Sequence, residues 1–174
     1  MAGVKYLVHF RPDKKLAELI SAHASLAIPS SGLHASLCFF QMDPGKEEEY
    51  KRQLSQLRFR QFSVETKGLH LYDNSSLVLE LTKPSELHLL HTDVVNRSRW
   101  YAADKRQWSE TKGKYYYSSY SPHITISKEG TIQDIANRYF FKDLIGVSFL
   151  VKEVFVSRKA NEWSEILTVK GDWP

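Results

Sequence analysis

The chain has few of the residues that would settle its class on their own. A single cysteine, Cys38, among 174 residues excludes an intramolecular disulfide and fits a reducing compartment. It stands in an apolar run and reads as packing. No apolar stretch approaches the roughly 20 residues of a membrane span. Lys5, His9 and Arg11 interrupt any signal-peptide core at the N-terminus. His88 and His91 lie one helical turn apart, but no carboxylate or cysteine motif accompanies them and there is no His-Glu-x-x-His pattern, so no metal site is read. Also missing are a glycine-rich nucleotide loop and the lysine motif of ATP-dependent ligases. These gaps suggest a soluble intracellular protein, cytoplasmic or alternatively nuclear, needing no cofactor and no membrane, and expected as a monomer.

Enough remains to build a folded protein. Apolar residues make up 42% of the chain, with nine Tyr, nine Phe and four Trp. That is globular composition, with aromatics to spare for a binding surface. A net charge of +4 tilts weakly towards polyanionic partners. The length suits one domain over 1–174, or two small lobes sharing a core.

One arrangement stands out. In Tyr120-Ser121-Pro122-His123-Ile124-Thr125-Ile126-Ser127 a strand pattern follows Pro122, and residues two apart share a face. His123 and Thr125 therefore project together while Ile124 and Ile126 enter a core. Leu33-His34-Ala35-Ser36-Leu37 repeats this 89 residues earlier, with His34 beside Ser36 and Ala35 beside Leu37. Two such patterns among seven histidines have a chance probability of about 1% on ordinary composition.

The rest of the chain can be placed around these strands. Lys5 to Phe10 reads as a strand. Pro12-Asp13 opens a helix with a stripe of Leu16, Leu19, Ile20 and His23. Pro29 to Gly32 is a turn, and Leu33 to Gln41 the first His/Ser strand. Asp43-Pro44 starts a second helix, its glutamates 47–49 forming a solvated face near the positive dipole end and Tyr50, Leu54 and Leu57 its buried stripe. A strand from Gln61 to Tyr72, broken near Gly68, and a turn at Asp73-Asn74-Ser75 lead to the strand Leu77–Leu81. Pro84 opens a third helix, ending near Trp100. Residues 102–119, basic and Tyr-rich, read as a loop over a site, able to hold phosphates or stack on bases. Thr131 and Asp134 resemble a capping box opening a fourth helix through Tyr139. Val147–Ser157 reads as one long strand, Arg158–Asn161 as a turn, and Glu165–Val169 as the last strand. The order is an internal repeat of organisation, approximately 1–72 and 75–174, with a His motif on the second strand of each. Two α+β lobes related by an approximate twofold would face their motifs across a groove.

Two facing histidines can divide acid–base work. One, neutral, takes a proton from a water or a ribose hydroxyl; the other, protonated, gives one to the leaving oxygen. Ser36 and Thr125 hydroxyls would donate to the phosphate oxygens, and no metal is required.

These paired His-x-[Ser/Thr]-hydrophobic motifs resemble the two-histidine phosphoesterase superfamily, over nearly the whole chain. Pro122 before His123 is similar to that family's second motif; Ser36 stands where Thr is commoner in the first. Gly68 with Leu77–Leu81, and Phe155-Val156-Ser157-Arg158 with the closing strand, resemble its central and C-terminal strand pairs. The resemblance implies a bilobal pseudo-twofold α+β fold, two antiparallel sheets lining a central cleft with helices outside. It implies His34 and His123 as the catalytic pair and Ser36 and Thr125 as phosphate-binding. It also implies a metal-independent phosphodiesterase acting on RNA-derived 2′,3′-cyclic phosphates or 2′-5′ linkages, with an RNA end, short oligonucleotide or cyclic nucleotide as substrate. Tyr120, at a strand mouth, and Arg158 and Trp163, flanking the C-terminal turn, are candidates for the substrate rim. An RNA-binding module using the same groove with little turnover, and a 2′-5′ RNA ligase, are the alternatives.

Overall fold

The computed structural model describes residues 3–23, 32–72, 75–104, 119–129 and 138–172. Among these are eight strands: β1 (Val4–Phe10), β2 (Ala35–Met42), β3 (Phe62–Leu71), β4 (Leu77–Leu81), β5 (His123–Ser127), β6 (Ser148–Val151), β7 (Glu153–Lys159) and β8 (Trp163–Lys170). Three α-helices accompany them: α1 (Lys14–Ala22), α2 (Glu47–Leu54) and α3 (Ser85–Ser98). None of the described helices is long and apolar enough to cross a membrane. The turn at Pro29–Ser31 and Asp73-Asn74, most of the basic loop (105–118) and most of the fourth helix (130–137) lie outside the described residues.

The strands form one eight-stranded antiparallel sheet in the order β6-β3-β4-β5-β2-β1-β7-β8, where two separate sheets were expected. β5-β4-β3-β6 mirrors β2-β1-β7-β8 about the β2–β5 seam, and that seam carries one register pair, Ala35 with Ile124. The halves of the sheet are not the halves of the chain. β3, from the first sequence half, sits beside β4; β7, from the second, sits beside β1, with β8 outside it.

The expected long strand Val147–Ser157 divides at Lys152, because its two parts serve opposite ends of the sheet. β6 pairs with β3, and β7 with β1 and β8. One residue spans only about 3.5 Å, so the sheet must curl until its two ends meet. Gly171 N donates to Lys152 O at 2.8 Å and Gln61 N to Asp172 O at 3.0 Å, stitching them together.

Alternation within the strands sorts the two faces. Tyr6, Val8, Phe10, Ala35, Ile124 and Ile126 are fully buried in one cluster with Leu16 and Ile20 of α1, Tyr50 and Leu54 of α2, and Leu87 and Val94 of α3. All three helices therefore cover one face. Asp13 caps α1 by accepting from Leu16 N at 2.9 Å, and Asp43 caps the 3-10 turn Pro44–Lys46 leading into α2. None of the described helices covers the other face, which carries His34, Ser36, His123 and Thr125.

Each motif strand has a bulge at the same place. On β2, Val8 pairs with Cys38 and His9 with Ser36, leaving Leu37 as the extra residue. On β5, Leu77 pairs with Ser127 and Val78 with Thr125, leaving Ile126 extra. Both stand three residues after the histidine. Bulges of this kind bend a strand and re-aim its side chains beside a site.

Candidate active site

Continuing the Ala35–Ile124 register by one residue each way sets His34 opposite Thr125 and Ser36 opposite His123. Directly opposite side chains lie about 5 Å apart at Cβ and diagonal ones roughly 7–8 Å. The two imidazoles thus occupy one diagonal of a square and the two hydroxyls the other, a spacing that suits one phosphoryl group at its centre. Ser36 and His123 line a common pocket of 210 Å³, and the charge of His123 acts on His34.

Both histidines are held in the same way. His34 Nδ1 donates to Gly32 O at 2.8 Å, and His123 Nδ1 donates to Ser121 O at 2.9 Å. A carbonyl can only accept, so each neutral ring keeps its proton on Nδ1 and leaves the Nε2 lone pair unblocked by that bond. Tyr72 supports His123, its ring edge-on at 5.1 Å and its hydroxyl 3.3 Å from Nδ1.

The surroundings of the two rings differ. Burial lowers the pKa of His34; the hydrogen bond to Gly32 opposes this, and the charges of Arg11, His123 and Lys128 add to it. Arg11 follows the register pair Phe10–Ala35 and so stands next to His34 across the β1–β2 ladder. The corresponding neighbour of His123 is an acid, Glu80. Behind His34 lies His9, ring centroids 5.2 Å apart, its Nε2 3.0 Å from Ser157 Oγ. Burial, with the charges of His34 and Arg11, pushes the His9 pKa down to about 3, so this imidazole is neutral.

The backbone under the β2 bulge is tied from the helix side. His91 of α3 donates through Nδ1 to Leu37 O at 2.9 Å, and Tyr120 donates to Ser36 O at 3.1 Å. Their rings stack at 3.8 Å and 3°. His91, whose spacing from His88 invited a metal reading, thus serves as a peg; among the described residues no group of three or more His, Cys, Asp or Glu is placed to hold a metal. Tyr120 borders the pocket but is buried, its hydroxyl committed to the backbone. Cys38 is free and buried.

Of the other expected rim residues, Trp163 is on the open face and lines a second pocket, of 180 Å³, with His34, Arg11 and Glu165. Arg158 is not. It pairs in register with Tyr6, a core-facing position, and its guanidinium lies 3.3 Å from Glu47. Glu47 in turn accepts from Tyr6 at 2.8 Å, so this member of the glutamate run is turned inward, away from the solvated face expected for it. Sequence reading assigned no site role to His9, Arg11 or Tyr72, and raised His91 only beside His88 as a metal pair, not as a peg. His9 on β1, and Arg11 just past its end, have the same parity as Lys5 and Leu7, a signal available once the strand's core face is known.

An antiparallel sheet whose pseudo-symmetric halves each bring an imidazole–hydroxyl couple to a shared seam is the architecture of a two-histidine phosphoesterase. The chain matches the family model of the 2′-5′ RNA ligase superfamily over residues 8–163, and it belongs to that family. A search of the curated proteins gave no match. Among solved structures it is similar to Escherichia coli LigT in its apo form, at 14% identity and TM-score 0.65 over 98% of this chain and 99% of that one. It is similar to TT0787 of Thermus thermophilus, at 14% identity and TM-score 0.61 over 96% and 97%. It is also similar to Kluyveromyces marxianus Usb1 with uridine monophosphate, at 13% identity and TM-score 0.53 over 97% and 98%. At these identities the likeness is one of fold.

Proposed function

We propose that the chain is a metal-independent phosphodiesterase that acts on RNA-derived 2′,3′-cyclic phosphates or 2′-5′ linkages. The observation that carries this reading is the square at the seam: two imidazoles on one diagonal, each with its Nδ1 bonded to a carbonyl, and two hydroxyls on the other. Acid, base and anion donors are then all side chains of the protein.

In this scheme His34 is the base. Burial and the neighbouring Arg11 favour its neutral form, and its Nε2 takes the proton from the attacking oxygen. That oxygen belongs to water for a cyclic phosphate, or to the adjacent ribose 3′-hydroxyl for a 2′-5′ linkage. As the new P–O bond forms and the old one breaks, His123, across from Glu80, gives its proton to the leaving oxygen. Ser36 and Thr125 donate to the non-bridging oxygens, whose charge grows in the transition state. Usb1 with uridine monophosphate, a nucleotide complex on the same fold, supports a nucleotide substrate.

The test is incubation in EDTA with 2′,3′-cyclic nucleotides, 2′-5′ triadenylate and 3′-5′ RNA. At least one of the first two should be consumed, and His34→Ala or His123→Ala should each lower kcat about 10²–10⁴-fold while ligand binding persists. Binding without turnover, unchanged by either substitution, would make the protein an RNA-binding module instead. Strict dependence on added zinc would defeat the scheme.

A further inference from the structure

The open face of the β2 half of the sheet can be read row by row from its register. One row runs Trp163, Lys159, Lys5, Gln41 across β8, β7, β1 and β2, and the next runs Glu165, Ser157, Leu7, Phe39. Phe39 and Trp163 thus start three strands apart, roughly 14 Å at the usual strand spacing. Their rings nevertheless meet, with centroids 6.3 Å apart at 63°. Leu7 and Ser157, which lie between them in the register, retain only 8% and 6% exposure, while Phe39 and Trp163 themselves stay 42% and 44% exposed. Lys159 Nζ stands 5.9 Å from the Trp163 ring.

The aromatic pair forms a partition. On one side Trp163 walls the pocket that contains His34, Arg11 and Glu165. On the other Phe39 walls the pocket that contains Ser36, Tyr120 and His123. Each pocket therefore has one histidine of the facing pair, His34 or His123, and one exposed aromatic face. A folded protein gains nothing from leaving two large rings half in water, whereas a half-exposed ring is a surface on which a nucleobase can stack.

We infer that Phe39 and Trp163 seat two nucleosides, one on each side of the scissile phosphate, so that the preferred substrate is a linear linkage between two nucleotides and not a terminal cyclic phosphate. This rests on the phosphodiesterase reading and narrows its substrate. The nucleoside carrying the attacking hydroxyl stacks beside Trp163, near the base His34. The nucleoside carrying the leaving 5′-oxygen stacks beside Phe39, near the acid His123. A 2′,3′-cyclic mononucleotide fills one pocket and leaves the other empty.

The experiment compares kcat/KM for 2′-5′ ApA and for adenosine 2′,3′-cyclic phosphate in the wild type, Phe39→Ala and Trp163→Ala. Base–aromatic stacking is worth about 1–3 kcal/mol per base, or about 5–150-fold in rate or affinity. The wild type should prefer the dinucleotide by tenfold or more. Each variant should lose at least about fivefold on it, chiefly through KM, and one of the two should leave the cyclic substrate unchanged within about twofold. Equal losses on both substrates, no loss on either, or a preference for the cyclic phosphate would overturn the inference. Phe39→Leu and Trp163→Leu repeat the comparison should an alanine variant fail to fold. Should the wild type turn over neither compound, the phosphodiesterase reading fails, and calorimetry decides the partition separately. Tenfold tighter binding of 2′-5′ ApA than of AMP, lost in Trp163→Ala, supports it; equal affinities reject it.

Discussion

His9 lies edge-on to His34, with ring centroids 5.2 Å apart and planes at 63°, while its own Nε2 meets Ser157 Oγ at 3.0 Å. A neutral, buried ring thus backs the ring assigned as base and limits its tilt. His9 does not reach the phosphate square and acts as a positioning residue. His9→Ala should lower kcat about tenfold or more, since a displacement of about 1 Å can cost 10²-fold, and leave KM nearly unchanged. His9→Phe, which restores the wedge without the Ser157 bond, should recover much of that loss. Equal defects in the two variants would remove the wedge.

The pH dependence of kcat/KM should show an acid limb below the ordinary histidine value of about 6.5. Burial leads in lowering the His34 pKa, and Arg11 contributes. The base must be neutral, so activity falls as pH drops through this lowered value. Arg11→Gln removes a positive charge, which raises the His34 pKa and moves the limb to higher pH. A pH profile of wild type and variant checks the sign, and a limb that moves down would reverse the assignment of the base.

Stability has its own acid limb, to which the peg at the bulge contributes beside the buried His9. Burial, with the charges of His88 and Lys83, holds the His91 pKa down to about 4 against the pull of its bond to Leu37. The unfolded chain therefore binds the extra proton between about pH 6.5 and 4. Stability is complete above the unfolded value and is lost as pH falls towards the folded one. At 1.36 kcal/mol for each pKa unit the loss is on the order of 3 kcal/mol. Urea midpoints between pH 7 and 4.5 should decline, and His91→Gln, though less stable at neutrality, should decline less steeply. Parallel slopes would show that other groups carry the effect.

Arg158 offers a control on the sheet's two faces. Its guanidinium holds Glu47 beneath the helices, remote from the seam. Arg158→Gln should cost on the order of 1 kcal/mol, since the pair is partly exposed to solvent, and leave kcat/KM within about threefold of the wild type. A larger loss of activity at unchanged stability would return Arg158 to the substrate rim.

The alternation in His34-Ala35-Ser36 and His123-Ile124-Thr125 was enough to foresee which side chains share a face, because strand geometry makes that a local matter. Helices α1 and α3 were legible for the same reason, through their apolar stripes and the Asp13 and Pro84 boundaries. What depends on partners was not. Whether Arg158 looks towards the helices or the cleft follows from its register with Tyr6, 152 residues away in the chain. The division at Lys152 does not show in the strand-like segment 147–157, since nothing within it says that its ladder partner changes. The twin bulges at Leu37 and Ile126 appear only when a strand is laid against its neighbour. His9 and Arg11 become site residues only because β1 sits beside β2 in that particular order.

The interleaving of β3 with one half, and of β7 and β8 with the other, has a consequence for the molecule's architecture. A cut at the mid-chain turn would not release two self-sufficient modules, for each fragment would hold strands whose ladders lie in the other. The pseudo-symmetry of the sheet is thus woven across both fragments, and the two should regain their shape only when mixed.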